Sequence, residues 1–249
     1  MVRRTLLSLV TAGLALIGLI GIEVVITMRR DYLHTEPAMD LGGTFGPPDG
    51  VRLRFAVLGD STAAGLGAGS PEFAYPTVLA RMLAADGYRV ELTVLGVSGA
   101  RTADVLDAQV PRAEAAHPDL VFIGIGANDA IHLTSLDRVR HDMSRAIHIL
   151  KSAGIEVVVG GAPDMRAAAF LEPLRSLAGW RGREVERAIG AAAAAEGAPV
   201  APLRAEAGPY FATHPEDAYA ADDFHPGAGG YKRWAEVIYP VLTAALAAR

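Results

Sequence analysis

Residues 52–59 read RLRFAVLG and residues 119–126 read DLVFIGIG, and these two runs are the strongest indication of the fold. Apolar side chains stand at consecutive positions in both runs, which is typical of strands buried on both faces of a parallel sheet. Three further strand candidates follow, the last of them weaker: YRVELTVLG at 88–96, IEVVVGGA at 155–162 and APVAP at 198–202. The sequence therefore predicts a parallel sheet of about five strands.

Helical stretches alternate with these strands. They lie at about 75–85, 102–115, 135–153 and 173–196, and a last helix begins near Gly227. Strands that alternate with helices form right-handed crossovers, which place the helices on both faces of the sheet. We therefore predict an α/β fold in which ligands bind beyond the carboxyl ends of the strands, close to the residues that follow each strand.

The composition of the chain narrows the range of functions. The 249 residues carry a formal net charge of -5, so no basic surface for nucleic acid is predicted. The chain has no Cys, which excludes disulfides, thiolate catalysis and cysteine-ligated metal sites. No pair of histidines or acids stands at a recognised metal-ligand spacing. We predict neither a metal nor another cofactor.

The N-terminal run LLSLVTAGLALIGLIGIEVVITM, residues 6–28, is long enough to cross a hydrocarbon core of about 30 Å as a helix. Two arginines flank each end, so its orientation is poorly specified, and no small-x-small cleavage site follows Met28. Glu23 lies near the C-terminal end of the run, where its carboxylate can reach the interface. We predict an uncleaved transmembrane anchor at 1–30. A cleaved signal peptide and a buried helix of the soluble domain are the alternatives.

Residues 31–50 are polar and rich in turn residues, with GGTFGPPDG at their end. This composition predicts a linker between the anchor and the folded domain. The remaining residues, 51–249, are predicted to form one α/β domain.

Four short motifs in this domain carry chemical groups. Three follow predicted strands and one precedes the last helix: GDSTAAG at 59–65, GVSGA at 96–100, GAND at 126–129 and DDFHP at 222–226. Each motif alone is common, because a serine or asparagine after a strand is usually a cap or turn residue. Together they supply a nucleophile, Ser61, a base, His225, and a carboxylate that can orient the base, Asp222.

The same motifs supply donors for a tetrahedral oxyanion. The candidates are the backbone N–H groups of Ser61 and Gly99 and the side chain of Asn128. Two acids, Asp222 and Asp223, lie close to His225 in the sequence. Asp222 is predicted to contact the ring, because residues three apart in a turn that enters a helix can lie on one side whereas adjacent side chains diverge.

In order and spacing, the four motifs resemble the sequence blocks of the SGNH/GDSL hydrolase family. The resemblance covers about residues 52–235: GDS at 59–61 matches the nucleophile block, Gly99 the second block, GAND the third and DDFH the fourth. It implies a flavodoxin-like three-layer α/β/α sandwich and metal-free hydrolysis of carboxylic esters. The chain departs from the family at Val94-Leu95, where many members carry an asparagine shortly before the second block.

The resemblance favours an esterase or lipase that forms an acyl-enzyme on Ser61, with a small-molecule or lipid acyl ester as substrate. The family also includes acyltransferases and carbohydrate O-deacetylases, so these activities remain open alternatives. A third alternative is a non-catalytic, membrane-tethered binding domain on the same scaffold. By analogy with exported family members, we expect a membrane-anchored protein whose catalytic domain lies outside the cytoplasm.

Overall fold

A computed structural model describes residues 2–29, 32 and 39–248. Its six described strands form one sheet in the order β1-β3-β2-β4-β5-β6. The strands are β1 (Gly43–Phe45), β2 (Val51–Gly59), β3 (Tyr88–Val94), β4 (Leu120–Gly124), β5 (Glu156–Gly160) and β6 (Val200–Ala201). Strands β2 to β6 are parallel, and β1 pairs antiparallel with β3 at the edge of the sheet. The predicted parallel sheet is confirmed.

Helices connect the strands of this sheet. The first part of the chain contains α1 (Val2–Met28), α2 (Tyr75–Ala85), α3 (Thr102–Asp104), α4 (Val110–Ala116), α5 (Ala127–Ile131) and α6 (Leu136–Ser152). Then follow α7 (Leu174–Ala195), α8 (Leu203–Glu206), α9 (Gly208–Thr213), α10 (Pro215–Ala218) and α11 (Ala228–Ala247). A 3-10 turn lies at Pro71–Phe73, and a π-helical turn at Val105–Gln109 joins α3 to α4.

The two faces of the sheet carry separate hydrophobic cores. In β2, Phe55 and Val57 point into one core while Ala56 and Leu58 point into the other, as the period of a strand requires. Helices α2 and α11 cover the first face with buried side chains such as Leu79, Leu83, Ile238 and Leu242. Helices α6 and α7 cover the second face with Met143, Ile147, Val185 and Ile189. The chain therefore has the flavodoxin-like three-layer α/β/α fold.

The structure differs from the prediction in the segment before β2. The predicted linker, 31–50, contains β1, and Leu41 just before it is buried in the core with 3% of its surface exposed. Strand β1 has three residues at a sheet edge, which is too short for alternating hydrophobicity to indicate a strand. Residues 30, 31 and 33–38 of the predicted anchor and linker lie outside the described residues.

Within the described residues, one helical segment is long and apolar enough to cross a membrane, Thr5–Thr27 of α1. A signal sequence near an N-terminus passes the same test of length and composition. Its large apolar side chains, from Leu6 to Ile26, are exposed rather than packed in either core. The alternative of a buried helix in the soluble domain is therefore wrong.

Candidate active site

The candidate nucleophile, Ser61, lies just beyond the carboxyl end of β2. Gly59, the last residue of β2, has a φ of +151°, and a Cβ added there would lie 2.1 Å from the carbonyl oxygen of Gly124 in the neighbouring strand. Only glycine allows the two strand ends to approach so closely. The backbone then turns, and the carbonyl oxygen of Ser61 accepts the N–H of Leu66 at 3.0 Å. This turn presents Ser61 at the edge of the sheet where ligands bind.

The side chain of Gln109 fixes the backbone immediately before this turn. Its amide oxygen accepts the N–H of Gly59 and its amide nitrogen donates to the carbonyl oxygen of Gly59, both at 2.8 Å. Gln109 is 1% exposed and lies in the π-helical turn between α3 and α4. The sequence gives no signal for this role, because a single glutamine in a helical stretch is usually a surface residue.

Ser61, His225 and Asp222 form a continuous chain of hydrogen bonds. The hydroxyl oxygen of Ser61 lies 3.0 Å from Nε2 of His225, and Nδ1 of the same ring lies 2.6 Å from the carboxylate of Asp222. All three residues are less than 9% exposed. This is the arrangement in which an imidazole can accept a proton from a serine hydroxyl while a carboxylate orients the ring.

The carboxylate of Asp222 has further partners in its own turn. It accepts the backbone N–H groups of Phe224 at 3.0 Å and of His225 at 2.9 Å. Burial alone would raise the pKa of Asp222, but the hydrogen bonds from the His225 ring and from these two N–H groups outweigh it and hold the pKa below its ordinary value. The carboxylate is therefore ionised at neutral pH. The neighbouring Asp223 has a φ of +58° and an exposed side chain.

The three candidate oxyanion donors line the same cavity as the catalytic residues. Gly99, which has a φ of +80°, follows β3, and Asn128 lies in the first turn of α5 after β4. The side-chain nitrogen of Asn128 donates to the carbonyl oxygen of Ala100 at 3.1 Å, which holds its amide beside Gly99. The geometry thus brings Ser61, Gly99 and Asn128 to one side of the cavity.

The cavity beside Ser61 has a volume of about 470 Å³, within the range of ligand pockets. Its walls are mainly apolar, with Ile131, Met165, Phe170, Phe224 and Trp234 among them. Thr27 and Tyr32, which precede the domain in the sequence, also line it. Among the described residues, no three His, Asp or Glu side chains are grouped where they could hold a metal ion. The cavity combines a serine–histidine–aspartate site with room for an apolar ligand.

Comparison with known proteins places the chain in a family. Residues 57–233 match the model of the GDSL-like Lipase/Acylhydrolase family. The GDSL-like esterase Rv1075c of Mycobacterium tuberculosis is 34% identical over 199 residues, which are 78% of this chain and 63% of that protein. The chain therefore spans less than two thirds of the length of this relative.

Solved structures share the fold at lower identity. TesA superposes with a TM-score of 0.65 and 24% identity over 77% of this chain and 99% of its own. The psychrotrophic esterase EstA from a Pseudoalteromonas species has a TM-score of 0.61 and 16% identity over 78% and 98%. At these identities the structures support the fold alone. The family match extends from β2 into α11 and includes all four motifs, so the chain belongs to the GDSL-like lipase/acylhydrolase family.

Proposed function

We propose that the chain is a serine ester hydrolase that forms an acyl-enzyme on Ser61. The observation that carries this proposal is the hydrogen-bonded chain from Ser61 through His225 to Asp222, which opens into the apolar cavity. Membership in a family of lipases and acylhydrolases supports ester substrates. The cavity volume of about 470 Å³ is roughly three times that of a cavity that binds benzene, so it has room for more than an acetyl group.

In the first half of the proposed reaction, the hydroxyl oxygen of Ser61 attacks the acyl carbon of the ester while His225 Nε2 accepts the hydroxyl proton. The carboxylate of Asp222 stabilises the imidazolium that forms. Negative charge develops on the former carbonyl oxygen, and the N–H groups of Ser61 and Gly99 with the Asn128 amide can donate to it. The bond to the alcohol oxygen then breaks, and His225 returns its proton to the departing alcohol.

In the second half, a water molecule takes the place of the alcohol. His225 accepts a proton from this water, the resulting hydroxide equivalent attacks the acyl carbon, and the bond to Ser61 breaks as the serine oxygen regains a proton. The products are a carboxylic acid and the free enzyme. Asp222 acts through His225, and the other groups used in these steps line the cavity. None of the steps requires a metal.

A fluorophosphonate probe tests this proposal directly. The probe reacts with an activated serine, so we expect one covalent adduct per chain, located on Ser61 by mass spectrometry. The Ser61→Ala variant should not be labelled and should lose hydrolysis of a short p-nitrophenyl ester. The matched control is Ser152→Ala, an exposed serine at the end of α6, which should behave as the wild type. Labelling at another residue, or hydrolysis by Ser61→Ala, would contradict the assignment.

We further propose that residues 1–30 are an uncleaved membrane anchor and that the hydrolase domain, which begins at about Leu41, lies outside the cytoplasm. The Glu23 side chain is 5% exposed and contacts the domain, an interaction that supports a helix retained in the mature protein. Mass spectrometry of native material should detect peptides from before Met28. A Ser152→Cys variant of this cysteine-free chain should react with an impermeant thiol reagent in intact cells.

A further inference from the structure

The C-terminal part of α1 contacts the domain beside the cavity. The carboxylate of Glu23 accepts the backbone N–H of Leu174, the first residue of α7, at 3.2 Å. Beyond the helix, the Tyr32 ring packs edge-on against Phe224, with 5.1 Å between the ring centroids. Phe224 directly precedes His225 in the sequence. Tyr32, which follows the candidate anchor, therefore packs against the catalytic turn.

The length of α1 determines where a bilayer would lie relative to this contact. From Thr5 to Ile22 the large apolar side chains are exposed, except for the half-buried Ile20. These residues, about eighteen, span about 27 Å as a helix, close to the thickness of a hydrocarbon core of about 30 Å. Glu23, about one turn before the apolar segment ends at Thr27, is the residue through which α1 contacts α7. If α1 crosses a bilayer, the domain rests on its surface without a spacer.

Exposed apolar side chains lie on the elements around this contact. The rim patch consists of Ile131, Leu133, Leu171, Leu177 and Trp180, which are 43% to 71% exposed. Leu171 and Leu177 lie three residues to either side of Leu174. The guanidinium of Arg181 donates to the carbonyl oxygen of Thr134, which ties α7 to the loop that carries Leu133. Ile131 belongs both to the patch and to the cavity wall.

Exposed apolar side chains that lie close to a cavity wall can mark an interaction site. Its composition fits a lipid surface, because tryptophan is favoured at the headgroup level and aliphatic side chains insert below it. Continuity with α1 identifies the occupant. Leu171 and Leu177 of the patch flank the residue that Glu23 contacts, within about one turn of the end of the apolar segment of α1.

We propose that the rim patch lies in the interfacial layer of the bilayer that α1 spans, so that the mouth of the cavity faces lipid. Its substrates are then acyl esters that enter the cavity from that bilayer rather than from water. The substrate class rests on the proposed ester hydrolysis, whereas the docking of the patch rests only on the proposed membrane anchor.

Tryptophan fluorescence tests the docking in the full-length chain. The chain has two tryptophans, and Trp234 is 6% exposed while Trp180 is 53% exposed. A Trp234→Phe variant in phosphatidylcholine vesicles should lose Trp180 emission when the lipid carries bromine on its acyl chains, because bromine quenches on contact. The control carries Trp180→Phe, Trp234→Phe and Val51→Trp, which places the probe at the amino end of β2, at the opposite edge of the sheet. Equal Trp180 emission in both lipids would overturn the proposal.

A kinetic measurement that leaves the cavity wall intact provides the second test. The double substitution Leu133→Ser and Leu177→Ser removes two exposed patch side chains. We expect unchanged hydrolysis of a soluble short p-nitrophenyl ester and about tenfold slower hydrolysis of p-nitrophenyl palmitate held in phosphatidylcholine vesicles. Val51→Ser, which removes an equally exposed side chain far from the cavity, should change neither rate. Equal rates for the double variant and the wild type on both substrates would overturn the proposal.

These measurements separate the docking from the proposed function. Quenching of Trp180 without hydrolysis of either ester would support the docking and overturn the ester hydrolase. Hydrolysis of both esters without quenching would support the hydrolase and overturn the docking. A dimer in detergent that becomes monomeric in the double variant would show that a second copy of the chain covers the patch, and this too would overturn docking on the bilayer.

Discussion

Asp222 holds His225 at two points, since its carboxylate contacts the ring Nδ1 at 2.6 Å and accepts the backbone N–H of the same residue at 2.9 Å. The contact with the backbone N–H fixes the turn, and the contact with Nδ1 fixes the ring. The rotation of the imidazole is therefore coupled to the path of the backbone. Nδ1 faces the carboxylate and Nε2 faces Ser61. The tautomer with its proton on Nδ1 is therefore the one that can accept a proton from the serine.

The Asn128→Ala substitution tests the oxyanion donors. If the side-chain amide of Asn128 donates to the oxyanion, its loss should lower kcat by roughly 10²–10³ with little change in KM or folding. Asn128→Asp, which keeps the shape of the side chain but lacks the donor, should lower kcat at least as much. Steady-state kinetics with a short p-nitrophenyl ester measure both variants. A wild-type kcat for Asn128→Ala would leave the residue as a turn residue that bonds Ala100.

The Gln109→Leu substitution tests the support of the strand end before Ser61. It leaves the buried N–H of Gly59 without its observed partner, while the carbonyl oxygen of Gly59 still accepts the N–H of Val97 at 3.1 Å. An unsatisfied buried donor of this kind costs about 1–3 kcal/mol, so we expect a loss of this size in the free energy of unfolding. Urea denaturation measures it. Asp107→Leu, an exposed position in the same π-helical turn, should change the value by less than about 0.5 kcal/mol.

The buried carboxyl group of Asp60 predicts a pH dependence of stability. Burial raises its pKa above the ordinary value of 3.8, although the backbone N–H and the hydroxyl of Thr62 both donate to it. A carboxyl group with a raised pKa binds its proton more tightly in the folded protein. Its contribution to stability is therefore fully present below the pKa of the unfolded chain and is lost as the pH rises through the folded pKa.

The Asp60→Asn variant keeps an oxygen acceptor for Thr62 but carries no charge. The difference in Tm between this variant and the wild type should increase as the pH rises from about 4 to about 8. Each kcal/mol by which removal of the buried charge stabilises the folded protein corresponds to about 2–4 °C in Tm. Thermal unfolding at three pH values measures the trend, and Asp223→Asn, which removes an exposed carboxylate, is the matched control. A Tm difference that does not change with pH would contradict a buried charge at Asp60.

The sequence predicts the parts of this fold that depend on local patterns. Strands β2, β4 and β5 are apolar at consecutive positions because both faces of each strand are covered, and the ends of α6 and α7 lie within a residue of the predicted ranges. Strand β1 is different, because three residues at an edge contain no period. Its place in the sheet depends on pairing with β3, which is remote in sequence.

The residues of the site also divide into those that a local sequence motif indicates and those that depend on tertiary contacts. Ser61, Asn128 and His225 are recognisable because each stands in a motif after a strand or before a helix. Gln109 has no motif, since its role depends on how the π-helical turn packs against the end of β2. The entry of Thr27 and Tyr32 into the cavity wall also depends on tertiary contacts, and no local signal in the sequence indicates it.

Substitution of the two neighbouring acids, Asp222 and Asp223, tests which of them is the catalytic partner of His225. The pKa of Asp222 lies below its ordinary value, so its carboxylate is charged throughout the pH range of an esterase assay and can stabilise the imidazolium of His225. Asp222→Asn removes this charge and presents an amide that can hold the ring in the wrong tautomer, a change that costs about 10⁴ in kcat in a serine protease. We expect a smaller loss, of about 10²–10³, because the backbone contact of this turn still positions His225. Asp223→Asn, at an exposed side chain, should lower kcat by less than about tenfold.

Steady-state kinetics of both variants with a short p-nitrophenyl ester decide which of the two acids is the partner of His225. A larger loss for Asp223→Asn would reverse the assignment, and equal activity of both variants with the wild type would mean that Ser61 and His225 act as a dyad.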